Sequence, residues 1–264
     1  MDEQQAPTTH ARRPSGRDAK RASRAARASS SIPYITRKIP YYELLGEEGL
    51  SLMERNADTI LEEIGIDFRD DPEALEIWKA AGADVKGERV HFARGMCRSL
   101  VQKTAPRQFT QHARNPARSV VIGGQNTVFA PAYGSPFVRN LDEGRRYAKI
   151  EDFRNFVKLA YMSTSLHHSG GTICEPVDLP VNKRHLDMVY SHLKYSDKAF
   201  MGSVTAPERA ADSVALANIV FGSELTDPAT GRPKTTIINL INVNSPMTYD
   251  ATMLGAAKIG RAHV

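Results

Sequence analysis

Cysteines and long apolar runs are scarce in this sequence, and each scarcity excludes a class of protein. Cys97 and Cys174 stand far apart, with no further Cys or His at ligand spacing, so neither a disulfide framework nor a zinc motif is predicted. No apolar stretch approaches the roughly 18 residues that a membrane-spanning helix needs, so we expect no membrane association. A reducing cytoplasm is the expected location.

Excess charge is also scarce once the amino terminus is set aside. Residues 1–31 carry seven Lys or Arg against three Asp or Glu, a difference of +4 out of the total of +5. The remaining chain is therefore near +1 and lacks the basic face expected of a nucleic-acid-binding protein. The tail is rich in Arg, Ala and Ser, which predicts a disordered extension, with a transit peptide as the alternative.

Residues 32–126 are predicted to form an α+β region without motif chemistry of its own. Apolar residues between Leu44 and Ile64 recur at helical spacing, and Gly65 follows them as a C-cap residue would. The same rules predict helices over Pro72–Ala81 and about Arg94–Lys103, and hairpins around Lys86-Gly87 and Asn115-Pro116.

Strand-like and helix-like segments alternate regularly over residues 127–258. The four pairs are "TVFAPAY" with "IEDFRNFVKLAYM", "SLHHSGGTI" with "PVNKRHLDMVYSHLKYS", "KAFMGSV" with "APERAADSVALANIVFG", and "TTIINLINVN" with "YDATMLGAAK". Such alternation is typical of a parallel α/β architecture. Because the carboxyl ends of parallel strands form the reactive face, functional residues are expected where each strand ends.

Two parallel architectures fit these four units, a doubly wound sheet and a (β/α)8 TIM barrel. No Gly-rich dinucleotide fingerprint opens the first helix, and "IGGQNT" lies earlier in the chain and is a weak match, so the barrel is favoured. A complete TIM barrel needs about eight units. The predicted fold is therefore a TIM barrel truncated to roughly its first half, preceded by the α+β region.

The final residues, "IGRAHV" at 259–264, continue no apolar stripe. One back-translation of this stretch is part of a common sequencing-library adapter. We therefore expect the gene segment to stop at about Lys258, the last helix to break there, and 259–264 to be a non-native end.

Several long segments between residues 32 and 258 carry a family resemblance: "ILEEIGIDFRDDPEALEIWKAAGADVKGERVHF", "APRQFTQHARNP", "HHSGGTICEPVDLP" and "NLINVNSPMTYDATMLGA". In this order they resemble the trimethylamine methyltransferase family, which contains corrinoid-dependent amine methyltransferases. Family members are longer barrel enzymes. The resemblance therefore implies that this chain is the amino-terminal half of such a barrel.

The resemblance also implies an activity, the transfer of a methyl group from a tertiary or quaternary amine to the cobalt of a corrinoid protein. The corrinoid would be carried by that partner protein and not by this chain, and the full-length enzyme is expected to form a homo-oligomer. Pyrrolysine, which the founding members use, lies in a part of the family sequence beyond this chain. Its absence from this sequence therefore does not distinguish an enzyme that uses pyrrolysine from one that does not.

Two alternatives to methyl transfer stay open. The first is a barrel lyase, such as a decarboxylase or aldolase, acting on another small molecule. The strand-end loops contain no lysine for a Schiff base, which disfavours the aldolase. The second alternative is a half-barrel without activity of its own.

Two adjacent histidines, His167 and His168, are the candidate catalytic residues at the end of the second strand. Neighbouring residues of a strand point to opposite faces, and no third ligand stands at a familiar spacing, so a metal site is not predicted. We expect one imidazole to face the methyl donor or the corrinoid. The alternative is that both are hydrogen-bonded structural histidines.

Further residues at the strand ends are candidates for substrate binding. A tyrosine supplies an aromatic face for a methylammonium, glycines allow close approach to backbone, and carboxylate, hydroxyl and amide groups supply charge or hydrogen bonds. Each also has a structural interpretation as packing, turn, helix entry or loop cap. The residues are Tyr133, Gly170, Gly171, Glu175, Thr205, Asn242 and Asn244.

Overall fold

A computed structural model describes residues 16–17, 19–20, 32–203, 205–222, 226, 231 and 233–262. This described part is a mixed α/β structure with several small sheets, none of which closes on itself. Most of the predicted tail, 1–31, and residues 263–264 of the predicted non-native end lie outside the described residues. Within the described ranges, no helix is long and apolar enough to cross a bilayer.

The helices confirm most of the periodicity predicted from sequence. They are α1 Glu47–Thr59, α2 Pro72–Ala80, α3 Met96–Thr104, α4 Ile150–Met162, α5 Arg184–Tyr195, α6 Pro207–Phe221 and α7 Ala251–Ala262. A π-helical turn, Ile60–Ile64, extends α1 and ends at Gly65, whose φ of 75° suits glycine. The expected break at Lys258 is wrong, because α7 continues beyond it.

The strands are short and form four sheets. They are β1 Ile35–Thr36, β2 Ile66–Phe68, β3 Asp84–Lys86, β4 Arg89–His91, β5 Gln108–Gln111, β6 Val120–Gly123, β7 Asn126–Thr127, β8 Phe137–Asn140, β9 Gly144–Tyr147, β10 Phe200–Met201, β11 Ile237–Ile238 and β12 Thr248–Tyr249. Their orders are β1-β7-β6-β5, β12-β2-β4-β3, β8-β9 and β10-β11. The hairpins predicted around Lys86-Gly87 and Asn115-Pro116 are confirmed as the antiparallel pairs β3-β4 and β5-β6.

An aromatic cluster holds the end of the described chain against the α+β region. Phe68 of β2 stacks on Tyr249 of β12 with ring centroids 5.5 Å apart, and β2 and β12 pair in parallel. Trp78 of α2 meets Phe92 edge to face at 4.9 Å. These rings lie around the buried Val90, so the predicted α+β region is a core shared with the carboxyl-terminal segment.

The four predicted helices of these units are present as α4, α5, α6 and α7, but the first two predicted strands do not form regular parallel strands. Only β10 and β11 form a regular parallel ladder among the four segments. The first segment pairs with the second through a parallel bridge between Ser135 and Cys174. The second joins the third through Ser169 N–H to Ala199 O, 2.8 Å, and its Gly170 O accepts from the third segment at 2.8 Å. The segments therefore lie side by side in chain order.

The helices α4, α5 and α6 bury their apolar faces together beside these segments. Phe153 and Val157 of α4 pack with Met188 of α5, while Val189 of α5 packs with Ala217 of α6. The hairpin β8-β9, inserted between the first segment and α4, was not predicted. It adds Val138 to the first of these cores.

Candidate functional site

A cavity of about 130 Å³ lies where three of the parallel segments end. The predicted substrate-binding residues Tyr133, Glu175 and Thr205 come from the first, second and third segments, and all three border it. The starts of α5 and α6 also border this cavity. They contribute Arg184, His185 and Arg209, none of which was singled out from the sequence.

Two arginines and one glutamate set the charge of this cavity. Arg184 donates from Nη1 to Glu175 Oε1 at 3.0 Å, and its buried Nε has no hydrogen-bond partner. Arg209 donates to the hydroxyl of Thr205, and within the described part of the chain no ion pair joins it to an acidic residue. With two cations and one anion, the charged residues on the wall sum to +1, not counting His185.

A buried histidine lies beside this charged pair. His185 is 2% exposed, and its Nε2 lies 2.7 Å from Asp212 Oδ2. A carboxylate only accepts, so Nε2 carries the proton of that bond. The other ring nitrogen, Nδ1, is buried without a hydrogen-bond partner. Two residues that border the cavity, His185 and Arg184, therefore each carry a buried nitrogen atom without a hydrogen-bond partner.

The glycine pair of "LHHSGGT" brings the second segment close to its neighbours. Gly170 has φ of 91°, which non-glycine residues rarely adopt. A Cβ on Gly171 would lie 2.8 Å from Tyr133 Cε2 and 2.9 Å from Met201 Cβ. Gly171 is thus required for the packing that holds Tyr133 at the cavity. This is a structural role of the kind given as the alternative to substrate binding, and neither Gly170 nor Gly171 borders the cavity.

Both predicted catalytic histidines are buried and hydrogen-bonded. His167 Nδ1 accepts the Phe129 N–H at 2.9 Å, and its ring stacks on that phenylalanine. His168 Nδ1 accepts the Gly170 N–H at 2.9 Å, and its Nε2 donates to Gln111 Oε1 at 3.1 Å. Burial lowers the pKa of both, that of His168 to about 3, so both are neutral at pH 7.

A third buried histidine, His192 of α5, supports the same stretch. Its Nε2 donates to Gly171 O at 2.8 Å, and its Nδ1 lies 2.7 Å from Ser169 Oγ. The ring stacks on Phe200, and burial lowers its pKa to about 4. "LHHSGGT" is therefore a buried hydrogen-bonded turn, and neither His167 nor His168 belongs to the residues bordering the 130 Å³ cavity.

The remaining predicted site residues, Asn242 and Asn244, are exposed and do not border the cavity. Asn244 donates from its amide to Asp250, and its backbone exchanges hydrogen bonds of 2.7 and 3.0 Å with Thr248. This arrangement matches the loop-capping alternative. Among the described residues, no group of three or more His, Cys, Asp or Glu could hold a metal ion.

Larger cavities in the described chain lie elsewhere and are mostly apolar. One of about 520 Å³ lies against β11 and is bordered mainly by aliphatic side chains, without an ionisable residue. Another, of about 600 Å³, lies over the aromatic cluster of β2 and α2. The small cavity combines several charged groups with an aromatic ring, so it is the better candidate for specific chemistry.

Comparison with known proteins agrees with the resemblance carried by the sequence. Residues 13–262 match the family described as trimethylamine methyltransferase (MTTB). The chain belongs to this family. It is also 47% identical over 218 residues to the glycine betaine methyltransferase of Desulfitobacterium hafniense (strain Y51). That match covers 83% of this chain and 44% of the relative, so the chain spans less than half of the relative's length.

Proposed function

We propose that the full-length protein carrying this sequence moves a methyl group from a methylated amine to the cobalt of a corrinoid protein. Membership of the trimethylamine methyltransferase family supports this reaction. The observation that carries the proposal is the cavity where parallel segments end, which combines the ring of Tyr133 with the carboxylate of Glu175. An aromatic face and a carboxylate are the groups that attract a methylammonium.

The size of the cavity supports its proposed role as the site of the amine. A volume of about 130 Å³ admits a small methylated amine but not a corrin macrocycle. We therefore propose that the corrinoid is carried by the partner protein, which approaches the strand-end face from outside. The relative named for glycine betaine favours a quaternary amine as donor.

The reaction needs alignment more than proton transfer. A carbon–nitrogen bond breaks, its electron pair stays on nitrogen, and the methyl carbon bonds to cobalt(I). A quaternary ammonium leaves as a neutral amine, so no acid is required. Holding donor and acceptor in line lowers the activation free energy by several kcal/mol. We assign the alignment to Tyr133 and Glu175, and propose that His167 and His168 act indirectly, by positioning the backbone of the second segment.

The proposal also includes the arrangement of the strands and helices. We propose that residues 127–258 form four consecutive units of a TIM barrel, preceded by the α+β region 32–126. Support comes from the parallel pairing of neighbouring segments in chain order and from the helix that follows each one. The strand-end location of the cavity is also where TIM-barrel enzymes carry their active sites.

The test uses the full-length protein with cob(I)alamin as acceptor and glycine betaine as donor. We expect methylcobalamin to accumulate, followed by absorbance. Tyr133→Ala should lower kcat/KM at least about tenfold, equivalent to about 1.4 kcal/mol, whereas Tyr133→Phe should retain most activity because the ring remains. Tyr42→Ala, at a position 89% exposed, is the control.

Two results would contradict this proposal. One is the absence of methylcobalamin from every methylated amine tried, with both cob(I)alamin and a corrinoid protein as acceptors. The other is equal activity of the Tyr133→Ala and Tyr42→Ala proteins, which would separate the cavity from the reaction.

A further inference from the structure

We propose that the exposed apolar face of helix α1 is an interface between two copies of the full-length protein, in which the two α1 helices pack antiparallel across a two-fold axis. This inference is independent of the proposed methyl transfer. It concerns α1, Glu47–Thr59, and the π-helical turn that extends it, Ile60–Ile64, neither of which borders the cavity at the segment ends.

Five apolar residues form a stripe along α1 and its π-helical turn. They stand alternately three and four residues apart, which places them on one side of the helix and is the spacing of a coiled-coil seam. The residues of this apolar stripe are Leu50, 51% exposed, Met53, 60%, Ala57, also exposed, Ile60, 41%, and Ile64, 52%. No residue of α1 or of the π-helical turn is buried. The helix therefore presents its apolar side to solvent.

Ion pairs fix which side of α1 faces the rest of the protein. The guanidinium nitrogens of Arg98 lie 3.4 Å from Glu54 Oε2 and 3.7 Å from Asp58 Oδ2, and Arg94 Nε lies 2.8 Å from Glu62 Oε2. These acids stand on a different side of the helix from the apolar stripe. A surface helix normally turns its apolar side to its own core. Here the charged side is held at α3, and the apolar side points away.

The exposed apolar surface is large enough for a stable interface. The segment that leads into α1 adds Ile39, Tyr42 and Leu44, which are 78–89% exposed, and α1 itself adds the half-exposed Leu52. Together with the apolar stripe, these side chains expose on the order of 800 Å² of apolar surface, about what each partner contributes to an interface of standard size. Apolar patches on monomeric proteins are usually smaller, so we expect a second surface to cover this one.

The order of side-chain sizes indicates that the covering surface is a second copy. Ala57 stands in the middle of the apolar stripe, with two large apolar residues on each side of it. An antiparallel copy with its axis at Ala57 places the two alanines together. Leu50 then lies near Ile64 of the second copy, and Met53 near Ile60 of the second copy. A two-fold interface must be complementary to itself, and a stripe with the same order of sizes in both directions meets that condition.

Charges at the two ends of α1 favour the antiparallel orientation. Glu47 and Glu48 begin the helix, and both are exposed. In the antiparallel pair they lie beside the π-helical turn of the second copy. Arg89 is located at that turn, where its Nη1 donates to Ile64 O at 3.0 Å, and its side chain is 40% exposed although it also pairs with Asp67. Each acidic helix start therefore approaches a guanidinium of the other copy, whereas a parallel pair would bring four glutamates together.

The experiment measures the mass of the full-length protein by sedimentation equilibrium. We expect wild type to contain an even number of copies. Met53→Glu should halve the mass, because it places a charge in the apolar seam of both copies. Leu141→Glu is the matched control, since Leu141 is fully exposed in the loop between β8 and β9, and it should have the mass of wild type.

Cross-linking tests the same interface without a charge in the seam. Ala57→Cys places two thiols next to the proposed axis, so a short bis-maleimide should join two copies there. Wild type, which carries Cys97 and Cys174, and Leu141→Cys are the controls. We expect Ala57→Cys to give at least about fivefold more cross-linked dimer than either control.

The two measurements separate a second copy from other occupants of the apolar stripe. A monomeric wild type, or a folded Met53→Glu protein with the mass of wild type, would overturn the inference. If Met53→Glu does not fold, the cross-linking decides. Cross-linked dimer from Ala57→Cys would support the interface. Its absence would show that α1 is covered by the downstream part of the same chain, and would overturn the proposal.

Discussion

Acidification from pH 7 to pH 5 is expected to destabilise the folded chain through two buried histidines. Burial lowers the pKa of His168 to about 3 and of His192 to about 4, from the ordinary value of 6.5. Below pH 6.5 the unfolded chain binds protons that the folded chain does not. The free energy of unfolding therefore decreases as the pH is lowered. The contribution is complete above pH 6.5 and is lost as the pH approaches the folded-state values.

The magnitude follows from these values by linkage. Each histidine accounts for a loss of about 2 kcal/mol between pH 7 and pH 5, or about 4 kcal/mol together. That is a large share of the roughly 5–15 kcal/mol that stabilises a typical domain. Burial is the main cause of the low pKa of His168. The geometry acts in the same direction, because Nδ1 accepts the Gly170 N–H and a second ring proton would face that donor.

The assay is urea denaturation of the full-length protein at pH 7 and pH 5, followed by circular dichroism. His168→Gln and His192→Gln should each lose about 2 kcal/mol less than wild type, since each lacks one of these two histidines. Leu141→Ala, at a fully exposed residue that carries no titratable group, should lose as much as wild type. A wild-type loss below about 1 kcal/mol would refute the reasoning.

Two further substitutions test contacts around the same segments. Lys198 is 3% exposed and donates to three backbone carbonyls at 2.7–2.9 Å, so Lys198→Met should destabilise by about 3 kcal/mol in urea titrations. Burial, with Arg118 nearby, lowers the pKa of Lys198 to about 8. Between pH 8 and pH 10 the wild-type protein should therefore gain stability relative to Lys198→Met. An equal response of the two proteins to pH would contradict this. Gly171→Ala should displace Tyr133, lower the free energy of unfolding by about 1–3 kcal/mol and weaken the binding of glycine betaine. An unchanged melting temperature and unchanged binding would contradict the close contact.

Local sequence patterns were sufficient to predict most of the helices and the hairpins of the α+β region. Gly65 ends the first helical run with a positive φ, and Asp71 caps α2 by accepting from the Ala74 N–H at 3.0 Å. These features depend on neighbours in sequence, which is why periodicity and turn chemistry predict them. The hairpin β8-β9 was missed because its charged strands, "FVRN" and "GRRY", lack a regular apolar alternation.

The strand-end rule identified one side of the candidate site. Tyr133, Glu175 and Thr205 follow three successive segments, and parallel pairing brings such positions to one edge. The helix residues of the site were missed because Arg184 and Arg209 lie in the first turns of helices, where a charged residue is ordinary. Nothing near them in sequence indicates that they face a cavity.

The sequence by itself determined most of the helices, the hairpins of the α+β region and the family, since these depend on local periodicity and on residue identity along the chain. Only the tertiary structure decided the role of each polar group. Gln111 meets His168 across 57 positions, and His185 meets Asp212 across 27, so neither contact leaves a local pattern. His168, at a predicted strand end, has both ring nitrogens hydrogen-bonded, whereas His185, at the start of α5, has an unpaired Nδ1, and nothing in the local sequence of either histidine reveals this difference. That difference depends on burial and on hydrogen-bond partners that only the folded chain brings together.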